Sequence, residues 1–107
     1  MISRSDLPQL SADLLKRMNI SFEYLLVTPS SLTPIQSDRL PFNDGKYIER
    51  YLKIKNNTYK PLIVDENFNI IDGHHRYDII KRMPEVTSVR VIHLNITYLE
   101  VLELFKK

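Results

Sequence analysis

The sequence predicts a single small α+β domain with a mixed sheet and flanking helices. Its length of 107 residues suits one compact domain rather than two. Hydrophobic residues make up 43% of the chain, enough to form a buried core. Their spacing changes between helical and strand periodicity along the chain, without an internal repeat. These observations predict one domain over residues 1–107, with the element order α-β-loop-α-β-β-α-β-α.

The chain should begin with a helix and a strand. Leucines and a methionine within residues 5–18 have close to helical spacing, and Ser11 is the expected N-cap of a helix over residues 12–18. Residues 21–28 are rich in aromatic and aliphatic side chains and predict a strand.

A long loop and a second helix should follow. Residues 29–43 contain three prolines and several serines and threonines, which predicts a loop. The second helix is expected from Asp44 to about Lys55. Its apolar residues would form one stripe, made of Tyr47, Ile48, Tyr51 and Leu52.

The next segment predicts a hairpin that leads into a helix. Two strands are expected over residues 61–65 and 68–72, joined by a tight turn that includes Asp65. Gly73 ends this pattern, and a helix is expected over residues 74–83 because Pro84 cannot continue it.

The chain should end with a strand and a helix. Residues 88–94 alternate between apolar and polar side chains and predict a strand, in which His93 is expected to be structural. Thr97 and Glu100 have the spacing of a capping box, so the last helix should run from Tyr98 to Phe105.

Composition excludes several classes of protein. The chain has no cysteine, which excludes disulfide frameworks, thiolate zinc sites and cysteine nucleophiles. It has only two glycines, Gly45 and Gly73, so a multi-glycine phosphate loop is excluded. No apolar run reaches the ~20 residues of a membrane span, and a signal-peptide core is missing. A soluble cytoplasmic protein without a membrane partner is expected.

Positive charge is concentrated in one segment. The whole chain has a formal charge of +2, but the segment from Arg39 to Lys60 has six basic and two acidic residues, a net +4. This segment is either a solvated helix face or a surface that faces an anion. If the anion is a nucleic acid, the candidate contacts are Arg39, Lys46, Arg50, Lys53 and Lys55.

The strongest functional signal lies where a predicted strand ends at Asp72 and a helix begins after Gly73. The first turn of a helix has free N–H groups, and glycine lets the backbone approach a ligand closely. Arg76 adds a fork-shaped cation that suits phosphate oxygens, and His74 and His75 add further donors. We therefore expect a phosphate or other anion site here. Adjacent helix residues diverge by about 100°, so a metal chelated by both histidines is disfavoured.

This segment resembles the nucleotide-binding core of the ParB/sulfiredoxin superfamily. The similarity is specific over residues 60–80, KPLIVDENFNIIDGHHRYDII, and looser over residues 21–95. The resemblance implies a small α+β domain that binds a nucleotide by its phosphates at residues 72–76. The nucleotide would be ATP or ADP, with CTP as an alternative, and Mg²⁺ would arrive with the nucleotide rather than on direct protein ligands.

Departures from the superfamily patterns narrow the implied activity. Sulfiredoxin chemistry needs a cysteine where this chain has His74. A full partition clamp is not expected, because only about a dozen residues follow residue 95. Free-serine kinases have the most similar Asp-Gly-His-His-Arg string, but their proposed glutamate base is missing from residues 34–38. ParB-like nucleases share the binding core but have no sharply defined catalytic motif, so the residues neither confirm nor exclude nuclease activity.

The resemblance and the residue types together define the candidate site. The candidate catalytic residues are Asp72, His74 and His75. The candidate phosphate-binding residues are Gly73, His74, His75, Arg76, Lys46 and Lys60. The candidate loop contacts are Ser30, Ser31, Thr33, Gln36 and Asp38.

Three functions are compatible with this site. The favoured one is an enzyme that uses ATP or ADP for phosphoryl transfer or hydrolysis. The alternatives are a ParB-like nuclease or DNA-binding protein, and a non-catalytic adaptor or inhibitor that binds a host protein. Small stand-alone versions of such a fold would suit a phage or mobile element. The sequence leaves open the base, the phosphoryl acceptor and the oligomeric state.

Overall fold

A computed structural model describes residues 1–39 and 45–106. The described residues form four α-helices and five strands, with short 3₁₀ turns at Arg4–Asp6 and Pro29–Ser31. In chain order the elements are α1 (Ala12–Arg17), β1 (Phe22–Val27), β2 (Thr33–Pro34), α2 (Tyr47–Lys55), β3 (Leu62–Val64), β4 (Asn69–Asp72), α3 (His74–Ile80), β5 (Val89–Leu94) and α4 (Tyr98–Leu104).

The five strands form one mixed sheet in the order β1-β5-β3-β4-β2. The β1–β5 and β3–β4 pairs are antiparallel, whereas β3–β5 and β2–β4 are parallel. This mixed sheet with flanking helices confirms the predicted α+β class.

The helices cover the two faces of the sheet, because the strands present apolar side chains alternately to each face. On β5, Val91 belongs to a core cluster that includes residues of α2 and α3. Its neighbour Ile92 belongs to a second cluster with Leu15 of α1 and Val101 of α4. Tyr77 of α3 is buried in the first cluster. The sheet is therefore the central layer of the domain.

Both predicted helix caps are confirmed. The Ser11 side chain accepts a hydrogen bond from the Leu14 backbone N–H at 3.2 Å, and α1 begins at Ala12. At α4, Thr97 and Glu100 form the reciprocal contacts of a capping box. Each cap satisfies backbone donors that the first helical turn leaves free.

The predicted loop over residues 29–43 is only partly a loop. Thr33–Pro34 forms β2, which pairs in parallel with β4 at Asn69 and Ile70. A proline is tolerated there because β2 lies at the edge of the sheet, where one side needs no partner. The end of the predicted loop at residues 40–43, and the predicted helix start at Asp44, lie outside the described residues.

The second helix also differs in its apolar stripe. Tyr47 and Tyr51 pack on the first core cluster with their ring centroids 6.2 Å apart. Ile48 and Leu52 instead have 69% and 48% of their surface exposed. The stripe is therefore narrower than the sequence predicts. In the part of the chain that the structure describes, none of the helices has the length and apolar character of a membrane span.

A buried carboxylate joins the β3–β4 turn to α4. Asp65 is fully buried, and its Oδ1 accepts hydrogen bonds from the backbone N–H groups of Asn67 and Asn69 at 2.9 and 2.8 Å. Its Oδ2 accepts from the Asn69 side chain at 3.1 Å and from the Tyr98 N–H at 2.9 Å. One side chain thus fixes the hairpin turn and the first turn of α4.

Replacing Asp65 by alanine should destabilise the whole domain. The change leaves three backbone donors without their acceptor, and hydrogen bonds to a charged group contribute about 1.5–3 kcal/mol each. We expect the free energy of unfolding to fall by about 3 kcal/mol or more in urea titration. The control is Glu103→Ala on the exposed side of α4, which should change it little. A loss of stability equal to that of the control would contradict this role.

Candidate anion-binding site

The candidate site is built on a turn that only glycine accommodates. Gly73 has φ = 112°, in the left-handed region, and connects β4 to α3. A Cβ at this position would lie 2.7 Å from Leu62 Cγ and 3.0 Å from a terminal nitrogen of Arg76. The turn places Asp72 at the end of the sheet and His74, His75 and Arg76 in the first turn of α3.

The turn opens onto a cleft of about 980 Å³. Ile63, Ile71 and Ile92 line it from the sheet, and the amino-terminal residues 3–5 and 7–12 line another side. Its described lining contains six basic residues against three acidic ones. The basic residues are Arg4, Lys46, Arg50, Lys53, Lys60 and Arg76, and the acidic ones are Asp38, Glu49 and Asp72. The cleft is therefore positively charged.

Arg76 is held at the base of this cleft. It donates a hydrogen bond to the Lys60 carbonyl at 3.1 Å, and its second terminal nitrogen lies 3.8 Å from Asp72 Oδ1. Burial lowers the pKa of Arg76, the Asp72 carboxylate opposes this, and the neighbouring Arg50 lowers the pKa further. A guanidinium nevertheless stays charged in proteins. Two like charges therefore repel each other across the site.

His75 contacts Arg50 directly. An Arg50 terminal nitrogen donates to His75 Nδ1. Because a guanidinium has only donors, the imidazole must accept at Nδ1, and its proton then lies on Nε2. Arg50, which the sequence suggested only for nucleic-acid binding, thus belongs to the same group as His75 and Arg76.

His74 has the opposite tautomer. Its Nε2 accepts from the backbone N–H groups of Ile35 and Gln36 at 3.1 and 3.3 Å, so a neutral ring has its proton on Nδ1. Burial and, to a smaller extent, the charge of Arg39 lower the pKa of His74 to about 4. The ring holds the segment after β2 against α3. Its catalytic role stays a prediction.

Asp72 is engaged on both carboxylate oxygens. Oδ2 accepts from the Leu10 backbone N–H at 3.0 Å, and Oδ1 faces Arg76. These contacts tie the amino-terminal segment to the turn. The catalytic role of Asp72 stays a prediction.

The remaining candidates divide into two groups. Gln36, Asp38, Lys46 and Lys60 line the cleft, whereas the described lining does not include Ser30, Ser31 or Thr33. Gln36 and Asp38, which both follow β2, are joined by a hydrogen bond. The Gln36 side chain donates to the Asp38 carbonyl at 2.5 Å, and Asp38 Oδ1 accepts from the Arg4 N–H at 2.6 Å.

The nucleic-acid candidates divide in the same way. Lys46, Arg50 and Lys53 line the cleft, and Lys53 also pairs with Glu49 at 3.1 Å. Two further basic residues do not belong to the described lining. Arg39 pairs with Asp78 of α3 at 3.0 Å and donates to the Gln36 carbonyl, and Lys55 is exposed.

Sequence analysis did not identify the contribution of the amino-terminal residues. Arg4 contacts Asp38, 34 positions further along the chain. Leu10 contacts Asp72, 62 positions further along the chain. No local pattern encodes such contacts. Within the described ranges, no group of three or more His, Asp or Glu side chains is arranged to hold a metal ion.

Replacing Gly73 by alanine should distort the turn. A left-handed conformation costs an L-residue about 1–2 kcal/mol, and the contact with Leu62 adds to this. We expect a loss of about 2 kcal/mol or more in the free energy of unfolding. Gly45→Ala is the matched control, since nothing lies within 4 Å of its added Cβ. Equal stability of the two variants would contradict the constraint.

Protonation of His74 should destabilise the domain in acid. Its folded-state pKa of about 4 lies below the unfolded value of 6.5, so the unfolded state binds the proton more readily. This contribution to stability is complete above pH 6.5 and is lost as the pH falls towards 4, by up to about 3 kcal/mol. Urea titrations of wild type and His74→Gln should show a smaller loss in the variant. Equal slopes for wild type and His74→Gln would exclude this effect.

Comparison with known proteins places the fold. No family model and no curated protein matches the chain. It is similar to the C2221 crystal form of a pNOB8-like ParB N-domain, with a TM-score of 0.64 and 18% identity over 81% of this chain and 38% of that one. It is also similar to another pNOB8-like ParB N-domain structure, with a TM-score of 0.61 and 14% identity over 92% of this chain and 37% of that one. The chain spans less than two fifths of either protein, and it has the fold of a ParB N-terminal domain.

Proposed function

We propose that this chain binds the phosphates of a nucleotide in the cleft at the Gly73 turn. The observation that carries the proposal is the grouping of Arg50 and Arg76 in the lining of one cleft, where Arg50 donates to His75 and Arg76 lies 3.8 Å from Asp72. Like charges held together in a partly buried site are unfavourable unless an anion accompanies them. A phosphate group supplies that anion and matches the donor geometry of guanidinium groups.

The neighbouring groups support phosphate rather than an arbitrary anion. The Gly73 turn has no side chain that keeps a ligand away from the backbone. Lys46 and Lys60 add two further cations to the lining of the cleft. Several donors of different reach suit the dispersed charge of a di- or triphosphate.

The nucleotides that fit this proposal are ATP or ADP, with CTP as an alternative. Mg²⁺ would enter with the nucleotide, since Asp72, the acidic residue at the turn, already accepts from Leu10 and faces Arg76. The same contacts favour binding over phosphoryl transfer as the primary function. Hydrolysis or transfer by Asp72, His74 and His75 would be a further step, measured as release of phosphate from ATP.

Nucleotides should stabilise the wild-type protein. A ligand that binds only the folded state at 100 times its Kd adds about 2.7 kcal/mol to stability, so ADP or ATP with Mg²⁺ should raise the Tm by several degrees. Arg76→Ala and Arg50→Ala should each weaken binding at least about tenfold in calorimetry, because each removes a charged hydrogen-bond donor. The control is Arg17→Ala, because Arg17 is an exposed residue of α1. No response of wild type to ADP, ATP, CTP or pyrophosphate would refute the proposal.

The second candidate is binding of a nucleic-acid backbone in the same cleft. Lys46, Arg50 and Lys53 are four and three positions apart, so they lie on one side of α2, and all three line the cleft. Similarity to ParB N-domains makes a role in DNA partition compatible with this surface.

Salt dependence separates the two candidates. Binding of fluorescent single- or double-stranded DNA should weaken steeply between 50 and 200 mM salt, on the order of a thousandfold for six phosphate contacts. Lys53→Ala should reduce the slope by about one unit, and Lys16→Ala on α1 should leave it unchanged. Absence of DNA binding at the lower salt concentration would exclude this second function and would not affect the first.

A further inference from the structure

The amino-terminal strap, which we define as residues 2–10, crosses one side of the cleft. Its first end is firmly bonded to the segment after β2. The three hydrogen bonds there are Ile2 N–H to the Ile35 carbonyl at 2.7 Å, Ser37 N–H to the Ile2 carbonyl at 2.7 Å, and Arg4 N–H to Asp38 Oδ1 at 2.6 Å.

The other end of the strap has one hydrogen bond, which we call the latch. It joins the Leu10 N–H to Asp72 Oδ2 at 3.0 Å. Between the two ends, the turn at Arg4–Asp6 is bonded within the strap. In the described part of the chain, residues 7–9 make no hydrogen bond outside the strap. The two ends therefore differ in strength, and the latch is the weaker one.

The strap lies over an apolar row of the sheet. Strand register places Asp72, Ile63, Ile92 and Tyr24 side by side across β4, β3, β5 and β1. Leu10 packs on the cluster that contains Ile63 and Ile92, which are only 3% and 5% exposed although both line the cleft. Tyr24, at the far end of the row, is 64% exposed. Ile63 and Ile92, on whose cluster Leu10 packs, are therefore the covered part of the row.

We propose that the strap opens at the latch while its first end stays bonded, and that opening uncovers an apolar platform made of Ile63 and Ile92. The platform lies one strand from Asp72 and the anion site. An uncovered platform beside two guanidinium groups fits a ligand that joins an anionic group to a flat apolar group. This last step rests on the proposed function: the phosphates bind at the Gly73 turn, and the base lies on the platform.

Opening can be measured with a single engineered cysteine, because the chain has none of its own. Ile92→Cys places a thiol on the platform, and its labelling rate by a thiol reagent reports exposure. Leu10→Pro removes the latch donor, since proline has no N–H, and Leu10→Ala is the matched control that keeps the donor. We expect labelling about tenfold faster with proline than with alanine, the factor that one hydrogen bond contributes to an opening equilibrium.

Further variants test whether faster labelling comes from loss of the hydrogen bond between Leu10 and Asp72. Asp72→Ala removes the acceptor of the latch and should speed labelling of Cys at position 92 in the same way. Leu94→Cys lies in the same cluster but outside the described cleft lining, and its labelling should not change. Ile63→Cys is a second reporter if Ile92→Cys fails to fold. Equal rates for Leu10→Pro and Leu10→Ala at folded reporters would overturn opening at the latch.

Ligands then test the platform. ADP with Mg²⁺ should slow labelling at position 92 in the Leu10→Pro protein at least about fivefold, whereas pyrophosphate, which has no base, should not. If calorimetry shows that ADP binds without protecting the thiol, the platform is not the base site and the proposed function stands. If neither compound binds, the proposed function fails, and the comparison of the Leu10 variants still decides whether the strap opens.

Discussion

The left-handed turn at Gly73 decides where Asp72, His74, His75 and Arg76 lie in the cleft. A strand that ends at Asp72 must reverse direction over Leu62 within one residue, and the space above Leu62 admits no Cβ. Once the turn is made, α3 can begin only at His74, and the two histidines and Arg76 emerge in fixed directions. The packing of Leu62 in the core and the position of the candidate site therefore both depend on the absence of a side chain at residue 73. A change in the packing of β3 would move the candidate site as well.

Each histidine at this turn accepts a hydrogen bond on one ring nitrogen. His74 receives two backbone donors and His75 receives the Arg50 guanidinium. The fixed positive charge of the site thus comes from arginines, which do not titrate at physiological pH. Asp72 balances part of this charge and simultaneously holds the amino-terminal strap. The Asp72 carboxylate therefore both offsets the charge of Arg76 and holds Leu10 in place.

Local patterns predicted the parts of this structure that depend on near neighbours. The Ser11 cap, the capping box at Thr97, the tight turn at Asp65 and the Gly73 turn all follow from residues within a few positions of each other. Contacts between distant segments were not predictable. Pairing of β2 with β4, the Arg50–His75 contact and the course of the strap have no local signature.

One backbone feature was unpredictable for a different reason. Phe68 has φ = 65°, a left-handed conformation that is unfavourable for a bulky residue. Its ring stacks on His93 with centroids 4.6 Å apart and packs against the first core cluster. Burial of the ring compensates for the backbone, and only the assembled sheet reveals this. The predicted structural role of His93 follows from the same stack.

The position of β5 between β1 and β3 has a consequence for how the protein is made. A ribosome releases Phe22–Val27 long before Val89–Leu94, the strand to which β1 bonds along its whole length. β3 also needs β5 as its parallel neighbour. The nascent chain must therefore carry β1 without its partner strand until Val89–Leu94 has been made. Closure of the sheet is a long-range event, and pairing between segments far apart in the chain slows folding.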